Sequence, residues 1–212
     1  MIRILIADDH AIVHRGLKQI VADEPDMVVA GEAKTGHEAL MLIRQQPWDV
    51  VVLDLSMPGR GGLDVLKELS QERRRVPVLV LSMHPEAQFA VRALRLGAAG
   101  YLTKESAPEE LVKAIRKAVA GGRYVSASLA EKLAGNLMAG GQVERAPHEM
   151  LSDREYLVLR LIASGKSVSA IADELALSVK TISTYRTRIL EKMGMTNNAE
   201  LTHYAISRGL IE

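Results

Sequence analysis

The sequence predicts an α/β protein: a doubly wound, parallel, five-stranded sheet followed by a small domain built only of helices. Three observations lead there. Through residue 120, short Val/Ile/Leu runs alternate with segments of helical period, the pattern of a parallel sheet covered on both faces. After Glu149 every segment has helical period and none has a strand pattern. Between the two, Gly140 to Glu149 is polar, aperiodic and holds Pro147, which reads as an interdomain connection.

Each element has its own signal. Ile2 to Ala7, Met27 to Ala33, Val50 to Leu53 and Val76 to Leu81 are apolar runs of strand length, and a weak fifth strand falls on Gly100-Tyr101-Leu102. Helical period covers Ile12 to Val21, Thr35 to Gln45, Leu63 to Ser70 and Glu86 to Leu96. A fifth helix runs from Pro108 to Val119, with the proline in the first turn, where its missing N–H costs nothing. Ser126 to Met138 can form another, broken by Ala139-Gly140-Gly141. Farther on, Ser152 and Glu155 form a capping box, Leu157, Leu161 and Ile162 make a buried stripe, and Gly165 stops that helix. A second helix passes through Ile171, Ala172 and Leu175. The turn Ala176-Leu177-Ser178 leads to a third, which buries Ile182, Ile189, Leu190 and Met193, and Asn198 to Arg208 is a fourth. The boundaries are 1–120, a helix and connector at 121–148, and 149–212.

Composition narrows the function classes. Of 212 residues, 48% are hydrophobic and 25% charged, a balance that excludes wholesale disorder. Without cysteine there is no disulfide framework and no thiolate metal site, which suits a reducing compartment. The opening Met1-Ile2-Arg3-Ile4-Leu5-Ile6-Ala7-Asp8 reaches a carboxylate before a signal-peptide core could form. No uncharged apolar run approaches the roughly 18 residues of a membrane span. A soluble, cytoplasmic protein that engages no membrane is expected. The net charge of +1 does not announce a nucleic-acid binder, but Lys180 to Lys192 holds four basic residues and one acid. That stretch is the electrostatic footprint if the protein meets DNA.

Carboxylates mapped onto this sheet give the sharpest signal. Asp8 and Asp9 end the first strand and Asp54 ends the third. In a parallel sheet these strands can be neighbours, so three acids crowd one pocket, which is unfavourable unless a cation or proton intervenes. An oxygen-rich, water-accessible site suits Mg²⁺. Ser82 and Lys104 end the fourth and fifth strands. A hydroxyl and an ammonium there could receive a phosphoryl group, with Asp54 as nucleophile. Each residue also has a structural reading: Asp9 or His10 can cap the helix that begins near Ala11.

The first 120 residues resemble the receiver domains of two-component response regulators, a flavodoxin-like fold. The resemblance rests on Ile6-Ala-Asp-Asp-His10, Asp54-Leu-Ser-Met-Pro-Gly59, Leu81-Ser-Met-His84 and Gly97-Ala-Ala-Gly-Tyr-Leu-Thr-Lys104. It implies that Asp54 accepts phosphate from a sensor histidine kinase. It further implies that Asp8, Asp9, Asp54 and the backbone carbonyl of Ser56 hold Mg²⁺, and that Lys104 contacts the phosphoryl group. By the same resemblance Ser82 moves toward the phosphate and Tyr101 rotates inward, changing the face formed by the fourth helix, fifth strand and fifth helix. Tyr101 also reads simply as a half-buried strand aromatic.

In the C-terminal domain, two helices joined by a tight turn form a helix-turn-helix. The second of them presents small hydroxyls and basic residues outward, as major-groove reading requires. A helical docking module with a solvated basic face is the alternative. Leu151 to Leu210 resembles the LuxR-type DNA-binding domain of the NarL/FixJ class. The matching residues are Leu151-Ser-Asp-Arg-Glu155, Leu159-Arg-Leu-Ile-Ala163, Gly165, Ile171-Ala172, Leu175, Ser178-Val-Lys-Thr-Ile182 and Ala199-Glu-Leu201. The resemblance makes Val179 to Met193 the recognition helix. Thr181, Ser183, Thr184 and Thr187 then belong to the DNA-binding set with Lys180, Arg186, Arg188 and Lys192, the basic four mainly on phosphates. Tyr185, in place of the usual histidine, and Val168-Ser169-Ala170 depart from the family pattern. In this class the last helix commonly pairs two DNA-binding domains; otherwise it closes its own core.

The expected protein is therefore a phosphorylation-controlled transcription regulator, not an enzyme beyond its own phosphorylation and dephosphorylation. Its partners are the kinase, promoter DNA, a second copy of itself when phosphorylated, and RNA polymerase. A haloacid-dehalogenase-like phosphatase would need an aspartate where Ser56 stands. A regulator gated by a small ligand would need an aromatic pocket, and aromatics are 3% here. A docking adaptor without DNA affinity is the third rival.

Overall fold

A computed structural model describes residues 1–72, 76–83, 86–131 and 146–211. They divide between two compact units, 1–139 and 140–212. The first alternates β1 (Ile2–Ala7), α1 (Ala11–Ala22), β2 (Met27–Ala33), α2 (Gly36–Gln45), β3 (Val50–Asp54), α3 (Gly62–Gln71), β4 (Val78–Ser82), α4 (Glu86–Arg95), β5 (Gly100–Thr103) and α5 (Ala107–Val119). The strands order β2-β1-β3-β4-β5 and every pair is parallel. β1, β3 and β4 are buried along almost their whole length because both faces are covered. On one face Ile4, Ile6, Val50, Val52, Leu79 and Leu81 pack with Leu17 and Val21 of α1 and Leu111 and Ile115 of α5. Each such side chain contributes about 1.5–3 kcal/mol relative to exposure.

β4 begins two residues later than its apolar run suggests, because Pro77 has no N–H to give to the ladder. α5 begins one residue early, with Pro108 in its first two positions. The expected helix at Ser126 to Met138 is seen over 127–131. The rest of it, and the connector through residue 145, lie outside the described residues.

The second unit opens with a single 3-10 turn, Pro147–Met150, followed by α6 (Asp153–Ala163), α7 (Val168–Glu174), α8 (Val179–Met193) and α9 (Asn198–Ser207). Both halves of the Ser152–Glu155 capping box are formed. Tyr156 to Leu159 are all buried while Leu161, expected in the stripe, is only half-buried, so α6 is the central helix and its buried face is wider than the expected stripe and turned away from Leu161. Ala176 has φ 51°, a left-handed conformation rare for a residue with a Cβ, and there the chain turns between α7 and α8.

Candidate functional site

The five parallel strands end at one edge of the sheet, and residues at the ends of β1, β3, β4 and β5 meet there. Asp8, just past β1, and Asp54, the last residue of β3, are each 1% exposed. Lys104, just past β5, places its ammonium 2.7 Å from Asp8 Oδ2 and 2.9 Å from Asp54 Oδ2. Ser82 ends β4 in full burial, and its carbonyl accepts the Lys104 backbone N–H at 2.8 Å. The Ser56 backbone N–H donates to Asp54 Oδ1 at 3.2 Å. Asp9 is exposed, and its Oδ1 lies 2.9 Å from His10 Nδ1.

The capping reading of this corner is met in position but not in side-chain bonding. His10 is the N-cap of α1, but its side chain makes no capping bond. Instead the His10 backbone N–H donates to Asp8 Oδ1 at 2.8 Å. The Asp8 carboxylate thus meets the start of α1 with one oxygen and the Lys104 ammonium with the other. Burial pushes the Asp54 carboxyl up; Lys104 pulls it down, Asp8 pushes it up again, and its pKa ends above the usual range. Burial works against the Lys104 ammonium, but Asp54 and Asp8 outweigh it and raise its pKa.

One ammonium does not balance this pocket. Ligand atoms of Asp8, Asp9, His10 and Asp54 all lie within 4.8 Å of one another. A donor set of three carboxylates, partly open to water at Asp9, is the oxygen-rich chemistry that hard divalent cations take. Tyr101 is 0% exposed on β5. It is more deeply inside than a half-buried strand aromatic would be, and its ring is already inward in this structure.

Two features of this corner have no local sequence signal. His14 is buried on α1, with Nε2 2.6 Å from the Asp8 carbonyl and Nδ1 2.9 Å from Glu32 Oε2. Lys18 pairs with the same Glu32. After α5, Tyr124 forms a parallel bridge with Gly100, its N–H donating to Ala99 at 2.7 Å, and so covers the start of the β5 edge. Ser126 Oγ then donates to Glu86 at the start of α4, at 2.5 Å, and Leu129 is buried. Helical period marks α4 and α5, but not a strand edge waiting for one residue.

On α8, Lys180, Ser183, Thr184, Thr187 and Arg188 are exposed along one face, while Ile182, Ile189 and Met193 are buried and Leu190, expected with them, is half-buried. Ser178 caps the helix by accepting the Thr181 N–H at 3.0 Å. Thr184 and Thr187 donate their hydroxyls to the carbonyls of Lys180 and Ser183, which leaves their oxygens as acceptors toward a ligand. Two of the basic residues are engaged inside the unit. Lys192 donates to the buried carboxylate of Glu155 at 2.6 Å, and Arg186 Nε donates to Asn198 at 2.6 Å.

Two family models match the chain: the response regulator receiver domain over residues 4–116, and the bacterial regulatory proteins of the luxR family over residues 149–205. The response regulator GacA of Pseudomonas aeruginosa is 39% identical over 212 residues, covering 100% of this chain and 99% of that protein. The response regulator UvrY of Escherichia coli strain K12 is 37% identical over 210 residues, covering 99% and 96%. Among solved structures, RcsB from Salmonella enterica serovar Typhimurium, bound to promoter rprA in the presence of the phosphomimetic BeF3⁻, is similar. It has TM-score 0.62, 29% identity and coverage of 96% and 97%. No helix among the described residues is long and apolar enough to cross a membrane. The chain belongs to the two-component response regulators of the NarL/FixJ class, phosphorylation-dependent DNA-binding regulators of transcription that join a receiver domain to a LuxR-type domain.

Proposed function

We propose that Asp54 is the phosphoacceptor and that residues 1–120 are the receiver, 121–148 a helix and connector, and 149–212 the DNA-binding domain. The observation that carries this reading is the buried Asp54 carboxylate at the end of β3, which shares the Lys104 ammonium with Asp8. A carboxylate oxygen of Asp54 attacks the phosphorus of a phosphohistidine on a sensor kinase. The P–N bond breaks, and the imidazole leaves with the electron pair and takes up a proton. Asp8, Asp9, Asp54 and the Ser56 carbonyl would hold Mg²⁺, which when bound would offset the negative charge of the phosphoryl oxygens. Lys104 pairs with a phosphoryl oxygen and the Ser82 hydroxyl donates to another, while Tyr101, already buried on β5, keeps its ring inward. Self-catalysed phosphorylation and dephosphorylation are the only chemistry assigned to the chain.

The change reaches the connector through the α4–β5 face. Its support is the docking of Tyr124 on β5 and of Ser126 on Glu86 of α4. On the DNA side, Ser183, Thr184 and Thr187 meet base edges, and Lys180, Thr181, Arg186, Arg188 and Lys192 position α8 on the backbone. Of these, Arg186 and Lys192 must first leave or share their partners Asn198 and Glu155. Two copies bind adjacent half-sites, paired through α9, whose Ile206 is 58% exposed, and RNA polymerase is the downstream partner. The protein acts in the cytoplasm. The RcsB structure, which holds promoter DNA together with a phosphomimetic, supports the coupling of the two events.

The test is incubation with Mg²⁺ and acetyl phosphate, beside Asp54→Asn, followed by a gel shift on promoter DNA. A shift in the wild type that is absent in the variant is expected. DNA binding that is equal in both proteins, with and without acetyl phosphate, would overturn the assignment of Asp54.

A further inference from the structure

We infer that Gly62 and Gly36 are positioning residues for the acceptor site. They set the loop Leu55–Gly61 by leaving space for backbone atoms, Gly62 behind Asp54 itself and Gly36 against the loop's far end. The inference rests on the reading of Asp54 as phosphoacceptor and of its loop as the carrier of the Ser56 metal-binding carbonyl.

Gly62 is the first residue of α3, and its N–H donates to the Leu55 carbonyl at 3.0 Å, closing the loop on itself. A Cβ on Gly62 would fall well under 3.0 Å from the Asp54 carbonyl oxygen and 2.9 Å from both the Asp54 carbonyl carbon and the Leu55 Cα. All three obstacles are backbone, so no rotamer change relieves them. Neither Gly62 nor Gly36 has a positive φ, unlike Gly59 in the same loop at 73°. Their backbone conformations are open to any residue, so what excludes a side chain at both is the approach alone. Gly36 is the first residue of α2. A Cβ there would meet the Arg60 carbonyl oxygen well inside 3.0 Å, its carbonyl carbon at 3.2 Å, and Val65 Cγ2 at 2.8 Å.

The two glycines therefore act on different ends of one loop. A methyl at 62 displaces the peptide that carries the nucleophile, whose carboxylate has a 2.9 Å contact with Lys104 and a bond from the Ser56 N–H to lose. A methyl at 36 displaces Arg60 and moves the loop without pressing on Asp54. Misplacing a reacting group by a fraction of an ångström is costly to rate, on the order of tenfold to a hundredfold.

The experiment compares wild type, Gly62→Ala, Gly36→Ala and the double variant Gly36→Ala/Val65→Ala. Initial rates of phosphorylation by acetyl phosphate are measured against Mg²⁺ concentration, below the unfolding transition of each protein. Gly62→Ala is expected to lower the limiting rate about tenfold or more. Gly36→Ala is expected to raise half-saturating Mg²⁺ severalfold with the limiting rate within about twofold, and the double variant to keep that defect. Relief of the defect by Val65→Ala would assign it to core packing and overturn the role of Gly36. A wild-type limiting rate in folded Gly62→Ala would overturn the role of Gly62; if that variant does not fold, the Gly36 pair decides whether the loop is set in this way. Calorimetric titration with Mg²⁺ alone needs no phosphoryl transfer and separates the two readings. Weakened Mg²⁺ binding in both single variants supports the loop even if the wild type takes no phosphate, whereas unchanged binding in both counts against it.

Discussion

Asp54 in the first unit and Glu155 in the second are both buried carboxylates, and they are treated in opposite ways. Asp54 is 1% exposed and Glu155 2%. Glu155 is fully provided for. Burial works against its charge, but Lys192 and the Ser152 backbone and hydroxyl donate to it, and its pKa falls below the usual value. Asp54 shares one ammonium with Asp8, and burial together with that second acid holds its pKa up. Burial alone therefore does not distinguish a structural acid from a functional one; the balance of donors against charge does. The capping-box acid is satisfied by its own fold, whereas the strand-end acids are left needing a cation, which is where function tends to sit.

The comparison is broken most severely at Lys104. Lys104→Met leaves Asp8 and Asp54 facing each other in burial, and the receiver should lose roughly 3 kcal/mol in denaturant titrations without divalent metal. Mg²⁺ should restore more stability to this variant than to the wild type; equal effects would mean that the ammonium does not balance the pair. Asp54→Asn should act in the other direction. The folded-state pKa of Asp54 lies above its unfolded value of about 4, so the folded state holds the proton more tightly. Its contribution to stability is present below the unfolded pKa and is lost as pH rises through the folded one. Denaturant midpoints against pH should show that decline in the wild type and a flatter profile in Asp54→Asn.

At Glu155 the sign reverses. Its folded pKa lies below an unfolded value of about 4.3, so the stability it contributes is present above that value and is lost as pH falls through the folded one. Glu155→Gln should cost the DNA-binding unit roughly 1–2 kcal/mol near neutral pH, discounted because Lys192 is partly solvated. The cost should disappear in acid. A penalty that persists unchanged at low pH would mean that packing at Glu155, not its charge, holds the turn.

The acidic pocket was legible in the sequence because strand runs end where polar residues begin, and a parallel sheet brings those ends together. Asp8, Asp54, Ser82 and Lys104 needed no more than this. Helical period likewise marked the outward face of α8. Period says which side of a helix a residue occupies, but not what stands opposite. Lys192 is exposed on α8, yet its carboxylate partner lies 37 residues earlier on another helix. Arg186 meets Asn198 and His14 meets Glu32 for reasons that only the packed elements supply. The Tyr124 bridge on β5 was hidden for the same reason, since a single strand-edge residue has no periodicity.

The smallest effect on folding is expected where charge is left wholly outside. Arg188 is exposed on α8, and Ile189 beside it carries the packing. Arg188→Ala should change the stability of the unit by no more than about 0.5 kcal/mol. If Arg188 neutralises a phosphate, the slope of log affinity against log salt should fall by about one, with similar weakening on specific and nonspecific duplexes. A loss confined to one base position would instead make Arg188 a reader of sequence. A loss of stability without any change in slope would move it to the class of Lys192, a cation the fold has already used.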